Sequence, residues 1–450
     1  MTTTSTRLKK LLNLTWPIML AQIVSQSAIF VGMIFIAKLG KDALAASALL
    51  YAVQLVLLTL FMSPLFAVSA IASQEYGRGE RSMLGNLMQQ SWFLSLLLSL
   101  PVMLIFLFIK PILLMFGQKL VLINLIAPYF VYAAFTVLPI FINTVNSQFG
   151  YAIQRLGFVI FTTVILLVVN LTLGYGLVLG AFGLPKLGIT GFGIASLIAN
   201  WLQLGIYIFL FKFFKGFKPY ELFKRHAYAG LQLMKKTFAI GWPIAVQMGG
   251  ELVSFFMITL MVGWLSTTQL AAQQIIVQYL MILLMPVYAL SQASNIFVAQ
   301  AVGEKDVVAV KSYGDLSLWI GLVFIVLITI VMSVFPLFFS SLYVKPGQPH
   351  AHIILMIMPM LIFVSLIGQV FDTMRNVLTG ALRGLLDTKY PMVIGIISIW
   401  VLRVPLSYFF GFTLHGGVVG VAWGAVVGMI FGAGMLLWRW HAKAKAQLTA

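Results

Sequence analysis

The sequence predicts an all-α integral membrane protein: twelve transmembrane helices in two six-helix lobes, a parallel internal repeat around a central cleft. Three observations carry that expectation. Of the 450 residues 61% are hydrophobic and only 8% charged, with mean hydropathy +1.05, outside the range of water-soluble domains. Apolar runs of about 20 residues, enough to cross a hydrocarbon core of about 30 Å, recur along the whole chain. The second half of the chain also repeats the first.

In order, the first run, 14–37, opens on "TWPIMLAQIV" from Thr15. It is full length and has no small-residue cleavage pattern behind it, so it is expected to remain as a helix rather than be removed as a signal. The second, 48–72, follows "DALAASALLYAV" from Asp42 and ends in "SQEYGRGE". The third to sixth are 88–109, 122–146, 157–181 and 187–211, the last opening on "LGITGFGIAS". A basic stretch then intervenes, after which the seventh, 238–263, opens on "GWPIAVQMGG" from Gly241, 226 residues beyond Thr15. The same offset sets "TQLAAQQIIVQY" against the Asp42 segment at the head of the eighth run, 270–299, which ends in "VAQAVGEK". The remaining runs are 314–342, 352–379, 391–411 and 416–438, the last beginning "HGGVVGVAWG", which resembles the opening of the sixth. Because six is even, both copies enter from the same side, which makes them parallel repeats and places the natural site in the cleft between them. The expected organisation is an N-terminal lobe over 1–211, a cytoplasmic linker over 212–236 and a C-terminal lobe over 237–450.

The net charge of +18 lies in short loops between apolar runs rather than on a solvated face, which argues against a nucleic-acid partner. Of the 28 Lys and Arg, Arg375 and Arg403 fall within spans, and Lys38, Lys41, Lys110, Lys119, Lys186 and Lys345 lie on one side; the other twenty lie opposite. The positive-inside rule then puts both termini in the cytoplasm, in a multi-pass protein of the cell inner (plasma) membrane. The chain has no cysteine, so disulfides, thiolate metal sites and thiol nucleophiles are excluded. No cofactor is expected, a metal site is left open, and the protein is expected to be a monomer among membrane lipids.

Among the acids, Asp42, Glu75, Glu80, Glu221, Glu304, Asp306, Asp315 and Asp387 are read as loop or helix-end residues; Glu251 and Asp372 alone lie deep in spans. An ionisable group near the bilayer centre costs roughly 2.5–3.5 kcal/mol even on lenient scales, so each needs a role or a partner. Arg375, one helical turn from Asp372, is the partner for a purely structural ion pair. Residues three, four and seven apart share a helix face, which groups Gln247, Glu251 and Ser254 in the seventh run. It groups Gln369, Asp372, Asn376 and Thr379 in the tenth, and Gln274 and Gln278 in the eighth. Three such stripes in one lobe predict a wet polar pocket; the competing reading is interhelical hydrogen bonding alone, worth about 0.6 kcal/mol per bond.

The residues resemble the multidrug and toxic compound extrusion (MATE) transporters over nearly the whole chain. The likeness rests on "TWPIMLAQ" and "GWPIAVQ" opening the two halves, "LAA" in both second helices, "AQAVGEK", and "VLTGALRGLLDTKYP" from Val377. The resemblance implies twelve helices in two lobes and export of large, mostly cationic drugs driven by a proton or sodium gradient. It matches Glu251, in "GGELVSFF", and Asp372, in "GQVFDTMRNVLTGALRG", to the family's acidic positions on helices 7 and 10. The first half departs from the pattern: Gly32 stands in "IFVGMIFIAKLG" where many relatives carry an aspartate. Asn170 is kept, but Gly174 takes a place often filled by Asn or Asp. The repeat offset likewise sets Glu251 against Ser25, and Asp372 against Ile142, so Ser25, Asn170 and Ser196 are the neutral counterparts in that half.

The chain has no HExxH and no DDxxD, and its histidines sit near helix ends or in loops, so an enzyme is not expected. A channel fits a duplicated chain poorly. The alternative of weight is a lipid or lipid-linked precursor flippase of the same superfamily, which would want a strongly basic cavity. The preferred expectation is antiport of small-molecule organic cations against protons, possibly sodium, through Glu251 and Asp372. Gln247, Ser254, Gln274, Gln278, Gln369, Arg375 and Asn376 line the cavity, and bends at Pro17, Pro243 and Pro286 supply motion.

Overall fold

The computed structural model describes residues 4–224, 231–341 and 351–449. Twelve helices among them are long and apolar enough to cross a membrane: α1 (Thr4–Ala37), α2 (Lys41–Arg78), α3 (Arg81–Leu107), α4 (Leu120–Ala152), α5 (Leu156–Leu179) and α6 (Ile189–Phe213), then α7 (Gln232–Leu265), α8 (Thr267–Gly303), α9 (Val307–Val334), α10 (His352–Gly384), α11 (Lys389–Thr413) and α12 (Gly417–Ala446). All twelve expected runs are present, most of them longer than the apolar pattern because polar first and last turns extend each helix beyond the hydrocarbon. The ninth differs: it stops at Val334, at the residues before Pro336, instead of continuing to 342. Lys345, Arg225, His226 and His350 lie outside the described residues.

Local chemistry sets the ends. Ser266 caps α8 by accepting the Gln269 amide, and Asp306 caps α9 by accepting the Ala309 amide at 2.9 Å, each satisfying an amide that the helix leaves unpaired. Gly79 ends α2 in the left-handed conformation, at φ 79°. Within α2, Pro64 interrupts the ladder and the chain passes through a 3-10 turn at Ser63–Phe66. Pro17, Pro243 and Pro286 all fall inside helices, in α1, α7 and α8.

By contacts the chain forms two compact units, Pro17–Ala245 on one hand and Val246–Ala450 with Met1–Trp16 on the other. The division therefore falls inside α1, next to Pro17, and inside α7, just after Pro243. In the first unit, Phe106, Phe130, Phe141 and Phe149 are fully buried between α3, α4 and their neighbours. In the second, Ile258, Met261, Ala272, Met358, Leu361 and Ile362 form an apolar core. The N-terminal turn is tied to this second unit by Arg7, 3.9 Å from Asp306 and over the Tyr313 ring.

Two acids read as loop or helix-end residues have specific partners. Glu75, in the last turn of α2 as expected, is only 3% exposed and is bound by Arg78 at 2.8 Å, and Asp315, half-buried within α9, accepts the Trp440 indole at 2.9 Å. A nearby donor on the same unit makes each tolerable away from water.

α11 and α12 meet backbone to backbone. α11 contains two π-helical segments, Ile397–Arg403 and Phe409–Thr413, and α12 presents Gly420, Gly424 and Gly428 at four-residue spacing along the contact. A Cβ at Gly428 would come within 2.7 Å of the Ser398 carbonyl oxygen, and one at Gly424 would strike the Ser407 backbone. Gly424→Ala should therefore cost about 1–3 kcal/mol and lower the melting temperature of the purified protein. Gly434→Ala, where a Cβ meets nothing within 4 Å, should leave it unchanged or raise it.

Candidate functional site

The polar faces of α7 and α10 converge in the second unit. Gln247 and Glu251 lie one turn apart on α7, and Gln247 Nε2 donates to Glu251 Oε1 at 3.2 Å. Asp372, Arg375 and Asn376 occupy adjoining turns of α10. Arg375 joins the two helices: its NH1 donates to Glu251 Oε1 at 2.5 Å, while its Nε and NH2 reach Asp372 Oδ1 at 3.1 and 2.8 Å. Asn376 Nδ2 donates to the other Asp372 oxygen at 2.9 Å. Asp372 and Arg375 are each 7% exposed, and the Glu251 side chain is 25% exposed.

The structure thus shows the Asp372–Arg375 pair that helical spacing allows, and adds Glu251 as a second carboxylate on the same guanidinium. A planar fork suits this task, since an arginine can serve two acids at once and keeps its charge at any working pH. Asp372 has three donors on its two oxygens and is closely held. Glu251 has Arg375 and Gln247 on one oxygen and stays a quarter exposed.

Other expected residues are placed differently. Ser254 and Gln369 are buried in the same unit, with Ser254 Oγ and Gln369 Nε2 lacking protein partners. Gln274 and Gln278 are exposed on α8 and are not joined to the cluster, because Ala272 and Ile276 form that helix's packed face. Their neighbour Gln273 carries a buried oxygen without a partner. Among the described residues no three His, Cys, Asp or Glu side chains gather as metal ligands.

In the first unit the neutral counterparts do not form an equivalent cluster. Ser25 is exposed and donates to the Ala21 carbonyl of its own helix at 2.9 Å. Ser196 accepts from Asn200, and Asn170 is 7% exposed with an unpaired oxygen. Gly32 and Gly174 both face the ring of Phe192: a Cβ at Gly174 would lie 3.3 Å from it, and one at Gly32 would collide with it. A phenyl ring thus fills the space that two acidic side chains would need.

Arg383 and Arg403 were not among the expected site residues. Arg383, counted from its position as a cytoplasmic charge, is in the last turn of α10 and donates to Gln247 Oε1 at 3.4 Å. The signal was present, because 369, 372, 376, 379 and 383 continue one stripe at alternating spacings of three and four. It was hidden by placing the end of the span at 379. Arg403 stands in the first π-helical segment of α11, its Nε enclosed and without an acceptor.

Comparison with known proteins settles the family. The sequence pattern of MatE matches residues 17–176 and 243–409, one block in each half of the chain. The chain belongs to the MatE family. MatE proteins are transporters, not enzymes, and this one is a multi-pass membrane protein. It is 31% identical over 435 residues to the probable multidrug resistance protein NorM of Burkholderia pseudomallei, covering 96% of this chain and 92% of that one. To the NorM multidrug resistance protein of Burkholderia vietnamiensis it is 29% identical over 439 residues, covering 97% and 94%. A crystal structure of a MATE protein in its bent conformation superposes with a TM-score of 0.89 at 16% identity, covering 100% of this chain and 99% of that one. The straight conformation gives 0.88 at 16%, covering 99% and 97%.

Arg375 is the residue whose loss this MatE site should tolerate least. Arg375→Gln leaves two carboxylates enclosed without their counter-charge and should cost about 3–5 kcal/mol, read as a lower melting temperature. Adding Asp372→Asn should recover much of the loss, and adding Glu251→Gln as well should recover more.

Proposed function

We propose that the protein is a secondary active multidrug efflux antiporter that exports cationic amphiphilic compounds against protons, coupled through Glu251 and Asp372. The observation that carries this reading is that one guanidinium holds both membrane-embedded carboxylates. Family membership and the NorM relatives, whose names describe multidrug resistance, supply the transport class.

Arg375 acts as a resident organic cation. While both acids are ionised it satisfies them, and an incoming cation must compete with it for the same oxygens. Protonation of Glu251, the less enclosed acid, removes one of the two charges that hold the arginine and weakens the hold on any bound cation at the same time. Proton entry and cation release are thus alternatives at the same carboxylates, as antiport requires. Asp372, with three donors, keeps Arg375 anchored when Glu251 is neutral.

Proton coupling is favoured over sodium because a sodium ion needs several oxygens converging on it, whereas here both carboxylates already face a guanidinium. The first unit, where Gly32 and Gly174 pack on Phe192, has the neutral residues Ser25 and Ile142 at the positions that the repeat sets against Glu251 and Asp372. Phe and Met residues, 36 and 22 in the chain, supply faces for cation–π and adaptable apolar contacts with varied substrates. A lipid or lipid-linked precursor flippase is disfavoured because the cluster of Glu251, Asp372 and Arg375 is net negative, whereas such a substrate calls for a strongly basic cavity. In this reading the protein works as a monomer in the plasma membrane with both termini cytoplasmic.

In proteoliposomes with an imposed pH gradient, Glu251→Gln should abolish export of a cationic dye while melting close to wild type, because Asp372 still pairs Arg375. Full export by that variant would refute the proposal. Asn170→Ala should leave the pH dependence of export unchanged, since an amide does not titrate. Sodium-stimulated export lost in Asn170→Ala but retained in Glu251→Gln would move the coupling site to the first unit.

A further inference from the structure

The basic stretch that follows α6 is built onto the first unit. α6 ends in Lys212 and Phe213, and Lys215–Tyr220 then forms a 3-10 turn. Phe217, 2% exposed, anchors that turn between Phe158 of α5 and Phe211 of α6, with ring centroids 5.0 Å from each. Gln89 of α3 fixes the far end by donating to the Leu222 and Lys224 carbonyls at 2.9 and 2.8 Å. On this scaffold Lys212, Lys215 and Lys218 stand exposed at three-residue spacing, and side chains three apart eclipse one another in a 3-10 turn. Arg155 adds a fourth cation. Its guanidinium lies 5.5 Å over the Phe217 ring, donates to the Tyr220 hydroxyl, and would be struck by a Cβ at Gly216.

The other half of the chain shows what is missing here. α4 and α10 end in the same way, with Gln154 and Leu386 at φ 57° and 58° and the next amide bonded back to Gly150 and Leu382. That next residue is Arg155 in one half and Asp387 in the other. Asp387 is neutralised by Arg439 at 2.8 Å. Among the described residues no carboxylate pairs with Arg155, Lys212, Lys215 or Lys218, and Glu221, the acid of the stretch, is held by Lys224 at 3.0 Å. Beside these cations lies apolar surface: Phe209, Phe213 and Phe214 are each more than half exposed, the first two with ring centroids 5.0 Å apart on one face of α6.

We propose that this end of the first unit is a binding site for an anionic phospholipid, its phosphate held by Arg155, Lys215 and Lys218 and its acyl chains lying along Phe209, Phe213 and Phe214. Charge complementarity selects the headgroup: a zwitterionic head brings its own cation and leaves the four basic side chains uncompensated. The rings select a lipid over a free phosphate ion, which would use the cations and leave the apolar surface bare. An acidic protein segment would have to cover the same rings where α6 passes out of the hydrocarbon, a place that lipid already occupies.

The test is a titration of the full-length protein in detergent, followed by native mass spectrometry, with a phosphatidylglycerol and with a phosphatidylcholine. Wild type should hold the first phosphatidylglycerol about tenfold or more tightly than the phosphatidylcholine. Lys215→Gln with Lys218→Gln should weaken phosphatidylglycerol about fivefold per charge removed and leave phosphatidylcholine unchanged. Both lysines are exposed, so this pair should melt like wild type and keeps the test valid if Arg155→Gln, which should weaken binding further, does not fold. Lys9→Gln with Lys10→Gln removes the same charge from the exposed start of α1 and should leave the preference intact. An equal loss in that control would reduce the effect to net charge and overturn the site. Complete displacement of the lipid by inorganic phosphate would make the occupant a free anion, and binding of a polyglutamate peptide with no preference between the lipids would make it an acidic protein; either result would overturn the proposal.

Discussion

The bond from Arg375 to both Glu251 and Asp372 is the constraint on which the second unit depends. Two carboxylates within the membrane are each expensive, and a guanidinium between them turns two isolated charges into one network that carries a single net negative charge. The same bond crosslinks α7 and α10, with Gln247 and Asn376 supporting it from either side. Any species that changes the charge of Glu251 therefore acts on a contact between helices as well as on a binding site. Electrostatics and helix packing share one set of atoms here, which is the physical requirement for coupling an ion to a movement.

The surroundings are built to hold that network in place while leaving adjoining backbone adaptable. α12 approaches α11 so closely that several of its positions admit only glycine, and α11 takes up the contact with π-helical turns instead of a uniform ladder. Close backbone packing of this kind relies on van der Waals contact, the force that remains available between helices when lipid replaces water. Arg403 emerges from that contact, so its guanidinium is positioned by backbone geometry rather than by a partner side chain.

The two halves of the duplicated chain have been used differently. In the first unit Phe192 fills the space beside Gly32 and Gly174, and the remaining polar groups, Asn143, Asn200 and Gln203 among them, hydrogen-bond with one another and with backbone carbonyls. None of these groups changes charge near neutral pH. In the second unit acids and arginines meet. At the repeat-equivalent positions one copy thus carries neutral residues and the other titratable ones; the enclosed acid of the first copy, Glu75, lies at the end of α2 and is paired with Arg78.

The sequence by itself determined the class of the fold, the twelve spans, the duplication and the two embedded acids. Each follows from a one-dimensional signal: hydropathy over a window, a fixed offset, or a carboxylate where water is absent. It also showed that Arg375 could reach Asp372, since a helical turn is local geometry. Only the tertiary structure decided that Glu251, 124 positions away, shares that arginine, because which faces of α7 and α10 meet depends on how the whole unit packs. The same holds for Phe192 against Gly32, for the exposure of Gln274 and Gln278, and for Arg403 standing without an acceptor. Arg383 lies between these cases: its stripe was legible along α10, but its place in the membrane turned on where the helix ends, and helix ends are set by polar turns that hydropathy does not see.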